Sequence, residues 1–250
     1  MSFEAPTVDS GAGDLDRSRL KLLFGVAAAL SIGLAYVPWG RNVIYPFALL
    51  ATWAHEMGHG LGALVTGHRF VELEVYRNLG GVALTGDPDG LSQIIVSGLG
   101  LVGPAALGAV VMILGARQRT APYVLGAMAV IIAVSCLLWV RNLFGFFALL
   151  AIGAVLALVA RFGSPVVRVV ATQLVAIQLG LSAWSNRDYL FISGFERNGQ
   201  RFDSDTQQIA NELFLPFWFW GALLGGVSIL IVLWAFWVAW LRPMAAERSS

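Results

Sequence analysis

His55, Glu56 and His59 occur in the stretch ATWAHEMGHGLG, from Ala51 to Gly62, inside a long apolar segment. On an α-helix, positions i and i+4 lie on one face, one turn apart. Two imidazoles at that spacing can hold one zinc ion. A glutamate directly after the first histidine can reach a water on that ion and take its proton. The chain has three histidines, and this spacing uses two of them. Ionisable side chains in an apolar helix are costly unless they pair or bind. The chemistry indicated is metal-assisted hydrolysis, with His55 and His59 as ligands, Glu56 as general base and Zn2+ as cofactor.

A catalytic zinc usually has three protein ligands and a water. The third is not adjacent, because HExxHxxGxxH would need histidine where Val65 stands. Cys136 is the one cysteine and lies in another apolar run, so a cysteine-based site is excluded. His68, Asp87, Asp89, Asp203 and Asp205 remain as candidates. His68 follows the helix, Asp87 and Asp89 sit in a Gly-Asp-Pro-Asp-Gly turn, and Asp203 and Asp205 precede a late helix. There Ser204-Asp205-Thr206-Gln207 has the form of a capping box.

The elements that position these residues are membrane spans. Hydrophobic residues make up 58% of the 250 positions and charged residues 12%, with a mean hydropathy of +0.74. Soluble chains carry about 25% charged residues. The expected fold class is an all-α polytopic membrane protein. It has about six to seven transmembrane helices, each near the ~20 residues a bilayer requires, and a short β-hairpin after the metal-binding helix. The apolar runs are Leu20–Pro38, Val43–Val65, Leu91–Gly115, Ala121–Val140, Leu143–Ala160, Val166–Trp184 and Phe214–Leu241. Several of the nine tryptophans fall at the ends of such runs, as interface anchors do. Residues 1–19 read as a disordered tail, 20–242 as one transmembrane domain and 243–250 as a short C-terminal tail. The expected location is a bacterial plasma membrane, with the lipid bilayer as a partner. A net charge of +1 offers no electrostatic case for nucleic acid.

His55 lies roughly 13 Å of helix rise after Pro46, which puts the metal site near mid-membrane. The third run is rich in glycine and should pack closely beside the metal helix. In the sixth run, Arg168, Gln173 and Gln178 should face the bundle interior. Between the second and third runs the period changes. Phe70, Glu72 and Glu74 alternate with Val71, Leu73 and Val75, then Asn78-Leu79-Gly80-Gly81 leads into Val82-Ala83-Leu84-Thr85. This reads as a hairpin with a glycine-bearing turn. A strand edge cannot face lipid unpaired, so the hairpin lies at the interface, is covered by helices or awaits a partner strand. It is either an ordinary interfacial loop or an edge that captures an extended peptide, with Gly80 and Gly81 as substrate-binding residues. Arg141-Asn142 breaks the apolar pattern, which makes Asn142 either a helix-end turn or a donor to an oxyanion or substrate backbone.

HEMGHGLGALVTG, the Gly-Gly hairpin, SGLGLVGPAALG, Arg-Asn-Leu-Phe-Gly and a late Ser-Asp-Thr-x-x-Ile-Ala together resemble the M50B-like branch of the site-2 protease metallopeptidases. The likeness spans Trp53 to about Trp220. It implies an intramembrane zinc metalloprotease acting on a membrane-protein or peptide substrate. It also implies zinc held by His55, His59 and a distant aspartate, with Glu56 as base. Asp205 is the best match for that aspartate. The wider family sets it in LDG or NPDG on a later span, and no such sequence stands there in this chain. Other classes compatible with the same residues are a non-catalytic zinc-binding scaffold, a transporter using Glu56 and Arg168, and a zinc hydrolase acting on a lipid. No internal repeat supports the transporter.

Overall fold

The computed structural model describes residues 17–242, apart from 186 and 198. The expected tails lie outside it for residues 1–16 and 243–250. The first helix, α1 (Arg17–Ala35), begins ahead of the expected Leu20. There follow α2 (Gly40–Val65), β1 (Phe70–Val75), β2 (Gly81–Thr85), α3 (Gly90–Gly115), α4 (Ala121–Leu138), α5 (Leu143–Phe162) and α6 (Pro165–Ser185). The chain continues through α7 (Arg187–Leu190), β3 (Gly194–Arg197), β4 (Gln200–Asp203), α8 (Asp205–Glu212) and α9 (Phe217–Phe236), then a π-helical turn at Trp237–Leu241.

Five helical stretches are long and apolar enough to cross a membrane: α3, α4, α5, most of α6, and Phe217–Leu241. At 26 residues α2 is long enough, about 39 Å, but its histidines, glutamate and glycines lower its hydropathy and it is not among the five. α1 carries a shorter apolar stretch, Phe24–Leu34. Five of the expected six to seven spans are thus met by length and composition, and α1 and α2 stand where the other two were expected. The chain is a helical polytopic membrane protein.

α3 packs against α2, α6, α8 and α9. Its glycines and those of α2 remove the side chains that would hold the two axes apart. A Cβ on Gly58 would meet the Leu99 carbonyl oxygen at 2.3 Å, and one on Gly62 would meet Val96 Cα at 2.9 Å. On its other side, a Cβ on Gly115 would stand 2.7 Å from Thr172 Cβ of α6. Polar groups of α6 turn inward to α3, where Thr172 Oγ1 donates to Gly115 O and Gln173 Nε2 to Met112 O. Arg168 departs from that expectation. It reaches back to the last turn of α5 and donates to the Arg161 carbonyl at 3.1 Å.

The hairpin forms in the expected strands, antiparallel, pairing Leu73 with Ala83 and Val75 with Gly81. The strict alternation fails at its start. A register irregularity between Phe70 and Glu72 rotates Phe70 onto the face of Leu73 and Val75, and all three are buried. Phe70 then stacks on Trp139 and fills the space left by Gly60. In the turn the left-handed residue is Leu79 (φ 67°), not Gly80 or Gly81. Such a conformation costs about 1–3 kcal/mol for a non-glycine residue. Here Thr52 Oγ1 of α2 holds it by donating to Leu79 O at 2.8 Å.

β1 is closed on its outer side. Leu73 N donates to Trp139 O and Leu73 O accepts from Arg141 N. Asn142 extends this closure by one residue, its Oδ1 accepting from Val75 N and its Nδ2 donating to Val75 O. In an antiparallel pair, opposite residues point their N–H and C=O groups the same way, toward each other or both outward. Leu73 and Val75 point outward to the 139–142 segment. Their partners Ala83 and Gly81 therefore present their backbone groups on the other side, the far edge of β2. Among the described residues no strand pairs there.

Candidate metal centre

His55 and His59 project from α2 toward α8, and Asp205 is the first residue of α8. His55 Nε2 and His59 Nε2 are 3.1 Å apart, and Asp205 Oδ2 lies 3.2 Å from the first and 3.4 Å from the second. The other ring nitrogens are both committed. His55 Nδ1 is 2.8 Å from the carbonyl oxygen of Gly100, and His59 Nδ1 is 3.0 Å from that of Val96, both on α3. A carbonyl oxygen only accepts, so the ring hydrogen resides on Nδ1 in both, and each Nε2 turns a lone pair to the centre.

Asp205 Oδ2 is buried there without a hydrogen-bond donor among the described residues. Three lone pairs converging in a buried space repel one another unless a cation stands between them. Two imidazoles and a carboxylate are a zinc donor set. Tetrahedral zinc with ligand bonds near 2.0–2.1 Å separates its donors by about 3.3–3.4 Å, close to the spacing observed. The residues fit the ion.

The local sequence explains how Asp205 arrives. Ser204 caps α8, its Oγ accepting from Gln207 N and donating to Ile192 O. The capping box is half formed, because the Gln207 side chain bonds Asn211 instead. Gln208 then docks α8 on α3, its Oε1 accepting from Gln93 Nε2 at 2.7 Å and Ser97 Oγ at 2.9 Å. α3 therefore holds both imidazoles and the helix that bears the third ligand.

The other candidates are elsewhere. His68 Nδ1 pairs with Thr66 Oγ1 beyond the end of α2. Asp203 is exposed and accepts from Asn211. Asp89 is the N-cap residue of α3, preceded by Asp87, and neither belongs to the His55–His59–Asp205 group.

Glu56 is buried on the side of α2 that faces the hairpin. A Cβ on Gly81 would stand 2.5 Å from Glu56 Oε1, and the Ala83 backbone bonds the same carboxylate. Gly80 and Gly81 line a cavity of about 340 Å³ together with His55 and Glu56. Its walls include Leu101, Pro104, Leu190 and Phe195, with Thr52, Ser182 and Ser228 as polar points. Asn142 is not there, because both ends of its amide are engaged with Val75. The structure brings His55, Glu56, His59, Asp205, Gly80 and Gly81 together and leaves Asn142 at the hairpin's closed edge.

Tyr189 is a site residue that no sequence signal marks. It stands on the short α7 and lines the cavity, with its ring edge-on to His55 at 6.1 Å between centroids. Its hydroxyl is within hydrogen-bond reach of Asp205. Burial first, then the nearby carboxylates, push the phenol above its usual range, so it keeps its proton as a donor.

The Peptidase M50B-like family model matches residues 26–236. The chain belongs to that family. No curated protein and no solved structure matches it. M50B-like membership joins a membrane metallopeptidase family to a His-His-Asp group able to hold a metal, both carried by a helical membrane protein.

Proposed function

We propose that this protein is an intramembrane zinc metalloprotease of a bacterial plasma membrane. It hydrolyses peptide bonds of membrane-embedded or membrane-proximal segments. The observation that carries the reading is the convergence of His55 Nε2, His59 Nε2 and Asp205 Oδ2 on one point beside the Glu56 carboxylate. Bound by those three residues, zinc would supply Lewis-acid polarisation of the scissile carbonyl and acidify a water.

The remaining work belongs to the chain. Glu56 takes a proton from the attacking water and returns it to the leaving amine nitrogen. The far edge of β2 offers the outward backbone groups of Gly81 next to Glu56, in the orientation an added strand requires. A substrate helix must therefore unwind locally before its backbone can pair there. Side chains next to the cleaved bond enter the cavity walled by Leu101, Pro104 and Leu190. The strand edge favours a peptide over a lipid, because an acyl chain has no backbone to pair with it.

Glu56→Gln tests this directly. Cleavage of a membrane-anchored peptide should fall below detection while zinc content and thermal stability remain those of the wild type. Retained turnover would remove Glu56 from the mechanism and bring the scaffold reading forward.

A further inference from the structure

In an α-helix the carbonyl of residue i accepts from the N–H of residue i+4. For Gly100 that donor would be residue 104, which is proline and has no N–H. The Gly100 carbonyl is thus denied its helical partner, and it is the carbonyl that accepts from His55 Nδ1 at 2.8 Å. The carbonyl serving His59 is in a different position. Val96 precedes Gly100, whose N–H is present, so the bond to His59 Nδ1 at 3.0 Å uses an oxygen that the helix also claims.

Proline in a helix interior is costly, and here it does not end the helix, since α3 runs on through it to Gly115. The same turn is stripped for close approach. A Cβ on Gly100 would stand 2.2 Å from His59 Cε1, and one on Gly103 would stand 3.1 Å from the Ala54 carbonyl oxygen of α2. A backbone bared in this way and lacking one helical donor presents a full-strength acceptor to the metal helix.

We infer that Pro104 is a positioning residue of the metal centre: by withholding an N–H, it reserves the Gly100 carbonyl for His55. That bond fixes the His55 tautomer, with the hydrogen on Nδ1 and the Nε2 lone pair turned to His59 and Asp205. Partners behind a ligating histidine orient the ring and raise its basicity. The inference rests on the proposed metal reading.

The test uses the full chain in detergent with Pro104→Ala and Pro104→Leu. Both restore an N–H at 104, while their side chains differ in size in opposite directions from the proline ring. Zinc affinity by chelator competition should fall by about 10–100-fold in both. The melting temperature of metal-free Pro104→Ala should be no lower than that of the wild type, because the helix regains a hydrogen bond. ¹⁵N NMR of the metal-free protein should show His55 leaving its single Nδ1–H tautomer while His59 keeps its own. Unchanged zinc affinity in Pro104→Ala would overturn the inference. So would a loss that follows side-chain size, or an unshifted His55 tautomer. A wild type that binds no zinc would instead sink the metal reading, and the tautomer comparison would still decide the role of Pro104.

Discussion

Gly81 lies so close to Glu56 that a Cβ at position 81 would stand 2.5 Å from the carboxylate oxygen. The hairpin therefore touches the proposed base through a residue whose missing side chain makes the approach possible. Gly81 does not need glycine for its backbone angles, since the left-handed residue of the turn is Leu79. Gly81→Ala should displace the Glu56 carboxylate without moving the metal ligands. Misplacing a catalytic group by about 1 Å can cost roughly 100-fold in rate. The expected outcome is a loss of that order in kcat with zinc content unchanged, read by peptide cleavage alongside metal analysis.

Asn142 should behave as a structural residue. Its amide satisfies both backbone groups of Val75, at 3.1 Å and within bonding distance of the carbonyl. Asn142→Ala leaves those groups unpaired, at a cost of about 1–3 kcal/mol. A lowered melting temperature is expected, with kcat per folded molecule near that of the wild type. A large fall in kcat at unchanged stability would return Asn142 to an oxyanion role.

Gln208 makes the polar contact of α8 with α3, through Gln93 and Ser97, beside the apolar packing of Ile209 on Leu101. Removing it in Gln208→Ala should loosen Asp205 while leaving both histidines held by Val96 and Gly100. Zinc affinity should drop by about 10–100-fold, as for other groups that orient a ligand. Activity should recover when zinc is supplied in excess, which a titration of rate against zinc would reveal.

What was legible in the sequence was local. The histidine pair at i and i+4, the glycine-rich third run and the change of period at Phe70 each depend on neighbours within a few residues, so their spacing carries the structure. Asp205 stood among five candidates because its approach to the histidines is made by Gln208 docking on a helix more than a hundred residues earlier. Spacing cannot express that contact, and family resemblance singled it out. Asn142 reads either as a helix-end turn or as an available amide, because nothing in Arg141-Asn142 tells that β1 needs its outer edge closed. Simple alternation puts Phe70 on the face of Glu72 and Glu74, and one register irregularity inverts that. Tyr189 is one aromatic among several in the stretch that also holds Phe191 and Phe195, and no periodic signal distinguishes it.

The measurement closest to the central claim is zinc content by mass spectrometry on detergent-purified protein, comparing wild type with His55→Ala and Asp205→Ala. The account predicts about one zinc per chain in the wild type and a loss of bound metal in both variants, because three donors hold the ion. Full zinc occupancy in Asp205→Ala, or a wild type that takes up none when zinc is supplied, would contradict it.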